Sequence, residues 1–324
     1  DWSVADKAEP QPDGDLGRKM YNAHYGLAEL PFSITPDTHF FFAHASYQEA
    51  LNTLLVAARS GEGFIKVIGE VGTGKTLLCR KFLTLLEEEA FVTAYIPNPY
   101  VEPMTLLLAV ADELGVVYEV SVNQHQLLKL LTQFLIDSNA GGKQVVLCLD
   151  EAQAMPTETL EALRLLSNLE TERSKLLQVV LFGQPELNTR LNDPAIRQLN
   201  QRIGFSCNLG TLNQNDVEYY LAHRLSKAGY RGARLFSRDA VHLLHRASLG
   251  IPRVINILAH KAMMATYGEG GRYITDKYIK LAIQDTESAR NRLRARRVRN
   301  TKIAAILIAA MLVIAGILLW STLP

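Results

Sequence analysis

Cysteine is scarce in this sequence: three occur among 324 residues, Cys79, Cys148 and Cys207, far apart and in apolar segments. Such spacing fits neither a disulfide framework nor a cysteine-ligated zinc, and reads as buried thiols in a reducing compartment. The eight histidines form no metal pattern. His242 and His245 fall three apart on an expected helix but lack Cys or acidic companions, so they read as packing or surface residues. An excess of charge of either sign is also missing, since 34 basic and 33 acidic side chains leave a net +1. That balance hides an asymmetry. Arg290, Arg292, Arg294, Arg296, Arg297, Arg299 and Lys302 carry seven positive charges with no acid among them, which leaves −6 for the rest of the chain. A mildly acidic body lacks the phosphate-neutralising surface of a general nucleic-acid binder, which argues against nucleic acid as a partner.

What is present is a phosphate-binding pattern at Gly69-Glu70-Val71-Gly72-Thr73-Gly74-Lys75-Thr76. A glycine, a second one five positions on, then Lys and Thr close a loop around a triphosphate. The flanks fit. Phe64 to Ile68 reads as a short buried strand, and Leu77 to Leu83 opens an amphipathic helix. Gly69, Gly72 and Gly74 permit backbone angles and close approach that side chains forbid. Main-chain N–H groups and the helix N-terminus then face the phosphates. Lys75 is expected to bridge the β- and γ-phosphates, and the Thr76 hydroxyl to ligate Mg²⁺. The candidate nucleotide-binding set is Gly69, Glu70, Val71, Gly72, Thr73, Gly74, Lys75, Thr76 and Leu77.

Strands and helices alternate around that loop. Residues 1–19 are rich in Pro, Asp and Gly and read as a disordered extension, with Met20 the candidate initiator. Leu30-Pro31-Phe32 and Phe40-Phe41-Phe42 form an aromatic segment before Ser46-Tyr47-Gln48-Glu49, a capping-box signature for a helix through about Arg59. Strands are expected at Phe91–Ile96, Gln144–Leu149, Leu176–Phe182 and Ile203–Leu209, with helices from Pro103, from about Asn123, and over Thr157–Glu170. This alternation predicts an α/β domain over 20–210, a mostly parallel sheet covered by helices on both faces. From 211 to 288 the pattern is wholly helical, with starts at Asn213, Ser237, Pro252 and Thr275, and reads as a small helical lid. A basic linker, 289–302, precedes Ile303–Trp320, 18 uncharged and mostly apolar residues spanning about 27 Å as a helix. That length nearly matches a bilayer core. Trp320 suits an interface, and the preceding cations would keep the bulk of the chain cytoplasmic, with 321–324 emerging beyond. The same cations either contact anionic membrane lipids or form a solvated flank.

A hydrolytic site also needs an acid for the metal and a group that polarises water. The apolar run Val145–Leu149 ends in Asp150-Glu151, at the strand end where ligands sit in open parallel sheets. Asp150 is expected in the Mg²⁺ shell, and Glu151 orients and activates the attacking water. Gln153 is either an assistant or a plain helix-start residue. Gln184, after the next strand, is a candidate sensor of the γ-phosphate or lytic water. Arg197 and Arg202 are alternatives for an arginine acting in a neighbouring subunit's site, or partners of local carboxylates. Arg253 follows Pro252 in a helix first turn and could point from a rigid element at the γ-phosphate.

With these motifs in this order, the chain resembles the AAA+ ATPases of the secretion and pilus-assembly group. Within that group it is most similar to the ExeA/GspA-like family and its MSHA pilus-biogenesis branch. Further carrying segments are Leu30 to Asp37, Leu149-Asp150-Glu151-Ala152-Gln153, Phe182 to Leu187, Gln198 to Arg202, and Gly250 to Asn256. The resemblance covers about 20–288. It implies an ATPase at a bacterial inner membrane that helps assemble a type IV pilus or type II secretion apparatus. The reading of the whole chain is a membrane-tethered ATPase that uses ATP and Mg²⁺ in a homo-oligomer, with pilus or secretion assembly proteins, a bitopic membrane protein among them, as expected partners. Two departures stand out. The secretion members continue past their span into a peptidoglycan-binding domain, so that property carries over only through a partner or a longer chain. Gln184 also stands where most AAA+ enzymes use a shorter polar residue. Two rival readings are a DNA-associated AAA+ regulator resembling the transposition ATPases, and a nucleotide-gated scaffold without turnover.

Overall fold

The structure, a computed structural model, describes residues 21–35, 37–166, 175–287 and 289–291. The expected extension, Met20, most of the basic linker and the 303–320 span lie outside the described residues. Among the described residues, no helix is long and apolar enough to cross a membrane.

Thr35–Thr211 with Ile251–Arg253 forms one compact unit, and the described residues up to Ile34, Leu212–Gly250 and those from Val254 onward form another. In the first, five parallel strands make one sheet. They are β1 (Phe64–Gly69), β2 (Phe91–Ile96), β3 (Gln144–Leu149), β4 (Leu177–Gly183) and β5 (Ile203–Leu209), in the spatial order β2-β3-β4-β1-β5. Helices α1 (Ala45–Arg59), α2 (Lys75–Leu85), α3 (Pro103–Leu114), α4 (Gln124–Ala140) and α5 (Thr157–Leu166), with the short α6 (Glu186–Leu191) and α7 (Arg197–Asn200), alternate with them.

Side-chain alternation along each strand splits the interior in two. Val145, Leu147 and Leu149 of β3 pack with Val179 and Leu181 against α3, α4 and α5. Val146 and Cys148 pack with Ile65, Val67, Val180 and Phe182 against α1 and α2. Near-continuous apolar strands are what burial on both faces requires. The expected sheet with helices on both faces is therefore present. Cys79, Cys148 and Cys207 are buried free thiols.

One local expectation fails. Ser46 does not cap α1, which begins at Ala45 with His44 in the N-cap position and no side-chain cap bond. The His44 ring lies 5.8 Å from the Tyr47 ring and 6.3 Å from that of Phe42. Aromatic packing, not the capping box, sets the start, and the Ser46 hydroxyl meets His44 Nδ1 at 3.2 Å.

The second unit holds α8 (Gln214–Lys227), α9 (Arg238–Ser248), the body of α10 (Pro252–Gly268) and α11 (Asp276–Gln284). Asn213 and Asp216 close a reciprocal capping box at α8, and the Ser237 side chain caps α9. Residues 21–34, read from sequence as part of the α/β domain, group instead with these helices. Tyr220 Oη donates to Asn256 Oδ1 at 2.8 Å, Asn256 Nδ2 donates to the Ser33 carbonyl at 3.1 Å, and the Arg224 guanidinium donates to the Pro31 carbonyl. Buried polar groups satisfied in this way fix the segment's register on the helices.

Leu147→Ala, at a fully buried β3 position, is expected to cost about 2–5 kcal/mol. Leu165→Ala, half exposed on α5, should change stability by less than about 0.5 kcal/mol. Urea unfolding of the two variants measures the contrast.

Candidate functional site

β1 ends at Gly69, and the chain turns through Glu70–Gly74 before α2 begins at Lys75. Gly72 and Gly74 have φ of +83° and +99°, backbone that side chains rarely adopt. A methyl on Gly72 would also lie 2.6 Å from Arg253 Cβ. The Thr73 hydroxyl donates to the Glu70 carbonyl at 2.8 Å and tightens the turn. Val71 and Glu70 are exposed, whereas Thr73 and Lys75 are buried and Leu77 is half-buried. The Lys75 ammonium donates to the carbonyls of Gly69 at 2.9 Å and Glu70 at 3.2 Å. The loop thus carries a buried cation whose donors are held by main-chain oxygens.

Sheet order supplies the rest. β4 lies between β1 and β3, so the ends of all three strands meet on one edge. Thr76 Oγ1 donates to Asp150 Oδ2 at 2.5 Å, and the Glu151 N–H donates to Asp150 Oδ1 at 2.9 Å. Glu151 itself has φ +52°, left-handed backbone for a non-glycine residue. Its Oε2 accepts from Gln153 Nε2 at 2.5 Å and from Gln184 Nε2 at 3.0 Å. The structure therefore brings Lys75, Thr76, Asp150, Glu151 and Gln184 together. Arg253 joins them at the loop, where its N–H donates to the Gly72 carbonyl at 3.2 Å while its side chain is exposed. Arg197 and Arg202 are both exposed, on α7 and just after it.

Part of this unit is similar in sequence, and the chain in fold, to known proteins. Residues 58–191 match the family described as AAA domain. The unit is AAA-like. General secretion pathway protein A of Aeromonas hydrophila is 40% identical over 272 residues, covering 84% of this chain and 49% of that protein. The chain thus spans about half the length of the curated relative it matches. Among solved structures, Cdc6p of Pyrobaculum aerophilum superposes with a TM-score of 0.58 at 17% identity, covering 78% of this chain and 71% of that one. The ORC2 protein of Aeropyrum pernix gives 0.53 at 18%, covering 77% and 71%. At such identities the likeness is one of fold, and the fold is that of a P-loop NTPase.

The AAA-like unit also holds functional candidates that sequence reasoning missed. The Tyr47 hydroxyl donates to the Gly74 carbonyl at 3.2 Å, and the Tyr95 hydroxyl lies 3.5 Å from Asp150 Oδ2. Arg190 Nη1 donates to the Gln153 carbonyl at 2.7 Å. Tyr95 reaches Asp150 because β2 pairs with β3, a neighbour relation that no local motif encodes.

The residues present fit magnesium and a polyphosphate. Thr76 and Asp150 offer paired hard oxygens of the kind Mg²⁺ prefers. A Cβ on Gly69 would lie 2.7 Å from Thr73 Oγ1 and one on Gly72 2.6 Å from Arg253 Cβ, so the loop holds its main chain free of side chains at both positions. Burial alone pushes the Lys75 ammonium below its ordinary range, opposed by Glu151 and Asp150. Burial likewise raises Asp150, opposed by the Thr76 and Glu151 hydrogen bonds. Both shifts mark charges kept at a cost, which a bound polyanion and a metal would relieve.

Burial holds the native Asp150 carboxyl above its ordinary range. The native carboxyl holds its proton above the ordinary value of 3.8, so native stability falls as pH rises from there through the raised native value. Asp150→Asn keeps Oδ1 as acceptor of the Glu151 N–H, turns its NH₂ to the Thr76 hydroxyl as acceptor, and removes the charge. Without nucleotide or Mg²⁺ it should stabilise the protein at pH 7 by about 0.5–2 kcal/mol, and by nothing near pH 3, as read by urea unfolding at both pH values.

Proposed function

We propose that this chain is an ATPase that binds Mg·ATP on Gly69–Thr76 and hydrolyses it with the Asp150–Glu151 pair. The observation that carries the reading is the 2.5 Å contact of Thr76 with Asp150, beside a Glu151 carboxylate held by Gln184. Lys75 neutralises β- and γ-phosphate charge once its ammonium leaves the loop carbonyls. Thr76 and Asp150 hold the metal, which supplies charge neutralisation when bound. Glu151 accepts the proton of the attacking water, and Gln184 orients it. Arg253, fixed beside Gly72, adds positive charge near the loop. Exposed Arg197 and Arg202 suit a site completed by a neighbouring copy in a homo-oligomer.

Similarity to general secretion pathway protein A and the apolar run at 303–320 support a physiological setting for this activity. The ATPase is anchored at the inner membrane with its bulk on the cytoplasmic side. It serves a secretion complex or a type IV pilus assembly of the kind served by the MSHA pilus biogenesis ATPase MshM. A bitopic membrane protein is its partner. Crosslinking in native membranes with identification of the captured proteins tests this setting, and recovery of no secretion or pilus component refutes it.

Glu151→Gln should keep nucleotide affinity and lose about 10²–10⁴ in turnover, measured as steady-state phosphate release; unchanged release removes Glu151 from its role. Lys75→Ala is expected to weaken ATP binding about tenfold to a hundredfold or more, since charge-assisted bonds to phosphate vanish. Titration calorimetry with Mg²⁺ reads this loss.

A further inference from the structure

We infer that Gln153 is a positioning residue: its side chain couples the end of β4 to the Glu151 carboxylate and so aims the water-activating oxygen. The inference rests on the proposed role of Glu151. Gln153 lies in a single helical turn, Ala152–Ala154, directly after Glu151. Its carbonyl is tied to α6 by Arg190. Its Oε1 accepts the Gln184 N–H at 3.0 Å, and its Nε2 donates to Glu151 Oε2 at 2.5 Å. The first bond fixes the second. With the carbonyl end of the amide facing an N–H, the NH₂ end must face the carboxylate.

Gln184 closes the ring by donating its own Nε2 to the same Glu151 oxygen. Both amides meet Oε2 and neither reaches Oε1, so one oxygen is held while the other can take a proton. Glu151 itself has left-handed backbone, φ +52°, directly before the turn that carries Gln153. Displacement of Gln184 at the end of β4 therefore reaches Glu151 by two routes, its own side chain and the Gln153 amide. Only Gln fits this arrangement. Asn is one methylene short, Leu offers neither a donor nor an acceptor, and Glu would set a second negative charge against the first.

A structural pin for the turn would give a different set of measurements. The test uses the full chain with Gln153→Leu, Gln153→Glu, Glu151→Ala and the Gln153→Leu/Glu151→Ala double variant. Without nucleotide, urea unfolding is read as a double-mutant cycle. The Gln153→Leu loss should shrink by roughly tenfold in folding equilibrium constant once Glu151 is Ala, because the charge-assisted bond is then already gone. With ATP, Gln153→Leu should lower kcat by roughly ten- to a hundredfold with KM and nucleotide Kd unchanged, and Gln153→Glu should lower it further.

Additive stability losses, or equal kcat for Leu and Glu at position 153, overturn the inference. If Glu151→Ala leaves kcat intact, the hydrolytic reading falls and the aiming role falls with it. The cycle without nucleotide would then still report whether the two side chains are joined.

Discussion

The hydrogen bond from Thr76 to Asp150 joins residues 74 positions apart, and it exists because three parallel strands end on the same edge in the order β3-β4-β1. A parallel sheet sends every strand's carboxyl end one way, and each strand then releases a loop into the same strip of space. The loop after β1 contributes a cation and a hydroxyl, the end of β3 two carboxylates, and the end of β4 an amide. Were β4 not beside β3, Gln184 could not touch Glu151. The two apolar layers either side of β3 are what hold that order.

The site is expensive to keep folded. Lys75 and Asp150 are buried charges whose ionised forms are disfavoured by their surroundings. Glu151 occupies left-handed backbone, which costs of order 1–3 kcal/mol in a non-glycine residue. None of this stabilises the unit, and stability comes instead from strands apolar on both faces. Cost concentrated at one strand edge, offset by apolar burial elsewhere, is the pattern of a site shaped for a ligand that brings the missing charges.

The second unit follows a different logic. Two of its helix starts carry local signals, the Asn213–Asp216 box and the Ser237 cap. Residues 21–34 are held to them by Arg224 and Asn256, polar side chains that reach main-chain carbonyls. Pro31 and Ser33 offer those carbonyls because neither lies in a strand or helix whose ladder would use them. The aromatic segment before α1 was visible in the sequence, but its division between two units was not.

The amino-acid sequence by itself determined the strand and helix alternation, the glycine-rich loop between strand and helix, and the acidic strand end. These are local signals: apolar periodicity, glycines at fixed offsets, and carboxylates next to a buried run. Strands at Phe91–Ile96, Gln144–Leu149 and Ile203–Leu209 were legible to the residue. Only the tertiary structure decided which strand ends are neighbours, and with that the Tyr95 approach to Asp150, the Gln153 bridge and the left-handed turn at Glu151. Aromatic packing around His44 likewise overrode a correct-looking cap at Ser46. Such contacts depend on strand order and on side chains far apart in the chain, which no local pattern carries.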